Sequence, residues 1–180
     1  MDRNQTLRFP IMLMGMVALI LSTLACGLGG TVTPSIPAAT VSVNTNVDIS
    51  KIDICSAIPT SEITNVLGRN LVGNPAPFHF NDAGTDSGCN YNAGKDGAGN
   101  AYFAYLVIAP EADYQTNKLH GSAVTPVSGL GDEAYTTNGA DAMQLWVLLK
   151  GKAAVMVAIG DVPNLNGAKK IAPLLISLVP

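Results

Sequence analysis

Charge, histidine and cysteine are all scarce in this sequence of 180 residues. Only 13% of the residues are charged, with thirteen acids against ten bases, and the chain holds two histidines and three cysteines. Binding to nucleic acid needs clustered Lys and Arg that neutralise phosphates, and this weakly acidic chain has no basic stripe. The sequence therefore argues against nucleic acid as a partner.

Motifs of familiar cofactor, metal and nucleophile chemistry are missing as well. There is no Cys-x-x-Cys pair, and the Gly129-Leu130-Gly131 triplet lacks the third glycine of a dinucleotide-binding loop. Ser87 and Ser128 do not stand in a nucleophile-elbow context. From the sequence we expect no cofactor, no metal site and no identifiable catalytic residue.

The N-terminus carries the features of an export signal. Arg3 and Arg8 precede an uncharged run from Phe9 to Ala25 that is rich in Leu, Ile, Met and Val. A helix of these seventeen residues would be about 25 Å long, which is short of a hydrocarbon core of about 30 Å. We therefore expect residues 1–25 to be a signal peptide, and a single run of this length excludes a polytopic membrane protein.

The run ends in the segment STLAC at residues 22–26, which resembles the lipobox of bacterial lipoproteins. The resemblance implies that the chain is cut after Ala25 and that the thiol of Cys26 carries the lipid, although Leu is commoner where Thr23 stands. The alternative is an ordinary signal peptide or an uncleaved anchor with a coincidental cysteine. The resemblance predicts a protein anchored by acylated Cys26 on the extracytoplasmic face of the cell membrane.

Residues 26–47 have the composition of a flexible stalk. After Cys26 the segment is uncharged and dominated by Gly, Pro, Thr and Ser, so it cannot bury enough apolar surface to offset its ordering entropy. Pro34 and Pro37 favour extended backbone. The alternative is an edge strand between Thr40 and Ile49, where β-branched valines recur.

A single domain is expected over residues 48–180, with about three helices. The first would begin after Thr60 or Ser61 as its N-terminal cap and end at Gly68. Two further helices are expected from Pro110 to about Leu119 and from Asn164 towards the C-terminus.

The segments between these helices have the patterns of β-strands. Residues 101–109 (AYFAYLVIA) are apolar on both faces, which is typical of a strand in the middle of a sheet. Residues 143–149 and 153–159 flank Lys150-Gly151-Lys152 and predict a hairpin. With shorter strand signals near residues 78–80, 88–91 and 135, the pattern predicts an α+β fold built on a largely antiparallel sheet.

Cys55 and Cys89 are the two thiols that remain once Cys26 is acylated. An even pair in an exported chain favours a disulfide. A redox or metal role is the alternative, with only His79 and His120 to assist.

Three short motifs resemble those of a known group of proteins. They are Asp-Ile-Cys at 53–55, Cys-Asn-Tyr at 89–91 and Gly-Leu-Gly-Asp-Glu-Ala at 129–134. Together they resemble uncharacterised envelope lipoproteins common in actinobacteria and, more distantly, extracellular sensor domains of bacterial Ser/Thr kinases, with Tyr91 standing where Trp is frequent. The resemblance implies a disulfide-linked α+β fold with a cleft and supplies no catalytic residue.

These observations favour a binding or sensor module for a small ligand or an envelope partner. Tyr102, Tyr105 and Trp146, with Phe103 beside them, are the candidate ligand-binding residues, and core packing is the alternative role for such aromatic side chains.

Two other functions stay open. An envelope hydrolase would use Asp132, Glu133 or His79, although adjacent residues of a strand point to opposite faces and make a poor acid–base pair. A structural component that works through protein contacts is the second.

Overall fold

The computed structural model describes residues 48–139, 142–160 and 164–180, so the predicted signal peptide and stalk lie outside the described residues. Within those ranges, four α-helices and seven strands confirm the predicted α+β class. After a 3-10 turn at Ile49–Lys51, the helices are α1 (Ile54–Ala57), α2 (Thr60–Leu67), α3 (Glu111–His120) and α4 (Leu165–Ile176). The strands are β1 (Ala76–Phe78), β2 (Ser87–Lys95), β3 (Ala101–Ala109), β4 (Ser122–Val127), β5 (Glu133–Asn138), β6 (Ala142–Leu149) and β7 (Ala153–Gly160).

The described strands form one antiparallel sheet in the order β1-β2-β3-β7-β6-β5-β4. The chain runs through β1, β2 and β3, crosses through α3, and returns through β4 to β7, which pairs with β3. β3 and β7 therefore lie at the centre, and β7 and the second half of β3 are buried on both faces, which explains their apolar sequences. The mid-sheet strand at 101–109 and the hairpin between β6 and β7 are confirmed.

One face of the sheet, called here the disulfide face, carries the larger part of the core. Cys89, Leu106 and Val155 lie on this face in one buried cluster with Ile63 of α2 and Ile171 of α4. The spacing of apolar residues along these helices places them on the sheet side, as the sequence predicts.

The opposite face, called here the aromatic face, packs against α3. Tyr135, Trp146 and Met156 form a second buried cluster with Tyr114 of the helix. The rings of Tyr114 and Tyr135 meet edge to face with centroids 4.9 Å apart, and the Tyr135 hydroxyl donates to the Tyr114 carbonyl at 3.1 Å. These contacts fix α3 over one end of this face only.

The predicted cap of α2 is wrong. Pro59 occupies the capping position in extended conformation, and Thr60 and Ser61 both lie inside the helix. Because proline already fixes the backbone angle needed there, the helix begins before a hydroxyl can cap it. Gly68 ends the helix in the left-handed region at φ 66°, as predicted.

Two elements were not predicted. α1 is a single turn, which is too short to show helical periodicity. β4 is an edge strand whose first five residues are exposed, so it shows no alternation of apolar and polar side chains.

Candidate functional site

Part of the aromatic face, beyond α3, forms an open groove. It has a volume of about 580 Å³ and lies over β2 and β3. Its lining includes three asparagines, one lysine and three aromatic residues, namely Asn90, Asn92, Lys95, Asn100, Tyr102, Phe103 and Tyr105. We call this the Asn/aromatic groove.

The strand register builds the floor of the groove. Asn90 lies opposite Tyr105, and Asn92 lies opposite Phe103 on the neighbouring strand. Since directly paired residues of antiparallel strands share a face, the two amides and the two rings form one surface. The Phe103 and Tyr105 rings have centroids 4.6 Å apart, and Phe78 extends the row with its ring centroid 5.4 Å from that of Tyr105.

Gly160 of β7 makes room for the Phe103 ring. A Cβ atom at Gly160 would lie 2.1 Å from a ring carbon of Phe103, which is far below any real contact. The ring therefore rests directly against the backbone of β7. A side chain at Gly160 would lift the ring away from the sheet.

An unpaired acceptor lies in the floor of the groove. Among the described residues, the Asn90 Oδ1 atom is buried and has no hydrogen-bond partner. A buried polar atom without a partner costs about 1–3 kcal/mol, so such atoms are uncommon. This position is suited to a hydrogen-bond donor supplied by a ligand.

A tight turn holds the rim of the groove. The Asp96 carboxylate accepts hydrogen bonds from the backbone nitrogens of Asn100 at 3.0 Å and Ala98 at 2.8 Å, and from the Asn100 side chain at 2.9 Å. These bonds, those from Asn100 above all, hold the pKa of Asp96 below its ordinary value. The carboxylate organises the turn between β2 and β3.

The three predicted ligand-binding aromatics are separated in the fold. Tyr105 lies in the groove floor, and Tyr102 lies at the rim, where the guanidinium carbon of Arg69 is 3.8 Å from its ring centroid. Trp146 is fully buried in the core, with the Phe80 ring 5.7 Å away. The structure thus brings Tyr102 and Tyr105 to the groove and leaves Trp146 beneath the surface.

Sequence reasoning missed Asn90 and Asn92. The two amides alternate along β2 with the buried Cys89 and Tyr91, a pattern that identifies a strand with one polar face. The strand signal recognised in the sequence covers residues 88–91 and stops before Asn92, whereas β2 continues to Lys95.

The disulfide is attached to β2 on the face opposite the groove. Cys55 of α1 and Cys89 of β2 are bonded, with the Sγ atoms 2.02 Å apart, as the sequence predicted. Asp53 caps α1 by accepting from the backbone nitrogen of Ser56 at 3.0 Å. Because Cys89 and Asn90 are adjacent in a strand, the disulfide and the groove lie on opposite faces of β2.

The candidate acid–base residues serve three separate contacts. Asp132 accepts a hydrogen bond from the Lys150 backbone nitrogen at 2.8 Å, and Glu133 pairs with Lys118. The Nδ1 atom of His79 lies 2.9 Å from the Asp86 carbonyl oxygen. None of these three residues lines the Asn/aromatic groove.

The described part of the chain shows neither a metal-binding cluster nor a membrane-spanning helix. Residues 48–139, 142–160 and 164–180 contain no group of three or more His, Cys, Asp or Glu side chains arranged to hold a metal ion. In the same part of the chain, no helix has both the length and the apolar character needed to cross a membrane.

Comparison with known proteins identifies no relative. No protein-family model matches the chain, and neither a curated protein nor a solved structure does. The resemblance to envelope lipoproteins therefore stays an expectation based on short motifs.

Proposed function

We propose that this chain is an extracytoplasmic lipoprotein, anchored through acylated Cys26, that works as a binding or sensor module. The observation that carries the binding role is the Asn/aromatic groove. Ligand sites combine apolar rings with a few polar groups that fix orientation, and this groove has both.

The polar groups of the groove favour binding over catalysis. Asn90, Asn92 and Asn100 carry carboxamides, which donate and accept hydrogen bonds but do not take up or release protons near neutral pH. General acid–base catalysis needs titratable groups within reach of the reacting atoms. Lys95, Tyr102 and Tyr105 are the titratable residues of the lining, and it contains no carboxylate or histidine to pair with them, so recognition is favoured over acid–base catalysis.

Three features support the proposed location. The leader and the STLAC segment at 22–26 have the pattern of lipoprotein export, and disulfides such as Cys55–Cys89 persist in oxidising compartments. Two acyl chains hold a protein firmly at about 0.8 kcal/mol per buried methylene, whereas one chain holds it only marginally. The membrane, through Cys26, is then the first partner of this protein.

Labelling with an alkyne analogue of palmitate tests the anchor. In a bacterial host the chain and a Ser35→Ala control should both take up the label and fractionate with membranes. Cys26→Ser should lose the label and leave the membrane fraction or stay unprocessed. An unlabelled chain, or a Cys26→Ser variant that is still labelled, would contradict the anchor.

Native mass spectrometry tests the binding role without prior choice of ligand. Protein purified from membranes of its own cells should carry a non-covalent mass that Phe103→Ala loses. Asn65→Leu, an exposed amide change on α2, should keep that mass. Bare polypeptide in the unmodified preparation, or an adduct that survives in Phe103→Ala, would contradict a ligand in this groove.

A further inference from the structure

We infer that the ligand of the Asn/aromatic groove is a neutral saccharide, and this inference rests on the proposed binding function. Three features of the groove carry it, and each is a property of side chains on β2 and β3. They are the paired rings, the adjacent carboxamides and the unpartnered acceptor.

The ring pair offers a platform for one face of a sugar. Phe103 and Tyr105 are partly exposed, and at a centroid distance of 4.6 Å, with 33° between their planes, the two rings stack on each other. The platform is therefore the outer ring face that this stack leaves towards the groove. The face of a pyranose ring presents C–H bonds, which pack against the electron-rich face of an aromatic ring. The position of Phe103 against Gly160 keeps this platform close to the sheet.

The carboxamides match the edge of a sugar. Asn90 and Asn92 lie beside the two rings, and each side chain offers two donor hydrogens and one acceptor oxygen. A hydroxyl group also donates and accepts, so neighbouring hydroxyls can satisfy both functions of an amide at once. Such pairing discriminates strongly against ligands that lack the hydroxyl.

The unpartnered acceptor excludes two other ligand classes. Asn90 Oδ1 is buried and needs a donor, which a sugar hydroxyl supplies. A sulfate or carboxylate ion offers only acceptors at neutral pH, and a lipid tail offers neither donor nor acceptor. Both would leave the Asn90 oxygen unpaired.

A peptide fits this groove less well than a sugar. Extended peptides commonly bind by adding a strand to a free sheet edge, where backbone groups lack partners. The groove instead lies on the face of β2 and β3, whose backbones pair with each other and with β1 and β7. Side chains alone must therefore do the recognition.

An array of neutral glycans tests the inference, with phosphorylated glycans and peptides as comparison arms. We expect the full-length protein to bind neutral glycans. Calorimetry on the strongest of them should show an affinity loss of at least about tenfold in Phe103→Ala and in Asn90→Leu. Asn65→Leu on α2 should bind as the unmodified protein does. Binding only to phosphorylated glycans or peptides, or no binding to any neutral glycan, would overturn the saccharide assignment.

The stability of Asn90→Leu separates a ligand-binding role from a structural one. Replacing the Asn90 carboxamide, whose Oδ1 atom is buried and unpartnered, by an apolar side chain of similar size removes an unfavourable group. The urea midpoint should therefore stay equal or rise while glycan binding falls. A lower midpoint together with unchanged binding would mean that Asn90 serves the fold and would overturn the inference.

The two proposals fail in different ways. If native mass spectrometry shows an adduct lost in Phe103→Ala but no neutral glycan binds, the binding function stands and the saccharide class is wrong. If no adduct is present and no glycan, peptide or phosphorylated glycan binds, the binding function itself is wrong.

Discussion

Neighbouring residues of β2 have different roles because successive side chains of a strand point to opposite faces of the sheet. Cys89 and Tyr91 point into the core, while Asn90 and Asn92 line the groove. Burial, with the nearby Asp53 carboxylate, raises the pKa of Tyr91 to about 12, and its hydroxyl donates to the Ile54 carbonyl at 3.4 Å. Tyr91 is therefore a neutral core residue at every physiological pH, and it contacts the helix that carries Cys55.

Removing the disulfide should destabilise the domain without changing its fold. Cys55 and Cys89 are 34 positions apart, and closing a loop of this length in the unfolded chain is worth about 4 kcal/mol in the chain-entropy model. We expect the double variant Cys55→Ala/Cys89→Ala to show a correspondingly lower free energy of unfolding in urea. Adding reductant should lower the free energy of unfolding of the unmodified protein to a similar value. It should leave the free energy of unfolding of the double variant unchanged.

Identical urea midpoints for the oxidised protein and the double variant would contradict this stabilising role. Labelling of two free thiols in the oxidised sample would contradict the bond itself.

At the level of elements, the sequence predicted best the strands with long apolar runs. β3, β6 and β7 can be predicted from the sequence because their apolar runs are long and continuous. β4 was not predicted, because an edge strand needs no apolar face. The strand is also irregular, since Ala123 adopts φ 53° where the register with β5 shifts. The polar end of β2 lies beyond the predicted strand signal at 88–91, because its outward residues face the groove instead of a core.

The Asp96 carboxylate in the turn between β2 and β3 should make the stability of the domain depend on pH. The pKa of Asp96 is lowered in the folded state, so its contribution is fully present above the unfolded value of about 3.9 and is lost as pH falls through the lower folded value. Asp96→Asn removes this dependence. The urea midpoint of the unmodified protein should exceed that of the variant near pH 6, and the difference should shrink as pH approaches about 2.

Asp82→Asn is the matched control for this measurement, since Asp82 is an exposed carboxylate in another loop. The urea midpoint of this variant should match that of the unmodified protein at each pH of the series. A difference between the Asp96→Asn variant and the unmodified protein that is constant across the pH range would contradict the assigned role of the carboxylate.

At the scale of the whole molecule, the candidate site depends on contacts that a linear pattern does not contain. The sequence drew attention to the aromatic residues of β3, including Tyr105, which lines the groove. It could not show that Gly160, distant in sequence, makes room for Phe103, or that Phe80 lies against Trp146. Strand order decides both contacts, and strand order follows from how two meanders join along β3 and β7.

The beginning of the domain is also a property of the whole fold, because the first described residues pack against distant strands. Ile49 is only 7% exposed and belongs to the core of the disulfide face, and Ile52 packs against the same cluster. The Ile52 carbonyl also accepts a hydrogen bond from Ser87 of β2. The predicted boundary at Asp48 therefore places every one of these contacts inside the domain.

Two truncations test this boundary against residues 26–180 carrying Cys26→Ser. Residues 48–180 should unfold at the same urea midpoint as that reference, since the core contacts described here begin at Ile49. Residues 53–180 lack the buried Ile49 and the partly buried Ile52. Their free energy of unfolding should be lower by about 2–3 kcal/mol or somewhat more, because full burial of one isoleucine side chain is worth about 1.5–3 kcal/mol. Both truncations keep Asp53 and Cys55, so the cap of α1 and the disulfide are unchanged. The difference therefore reports the apolar contacts of Ile49 and Ile52 together with the hydrogen bond from Ser87 to the Ile52 carbonyl. A lower midpoint for 48–180 would show that the preceding segment contributes to the fold, and equal midpoints for the two truncations would show that the domain begins later than Asp48.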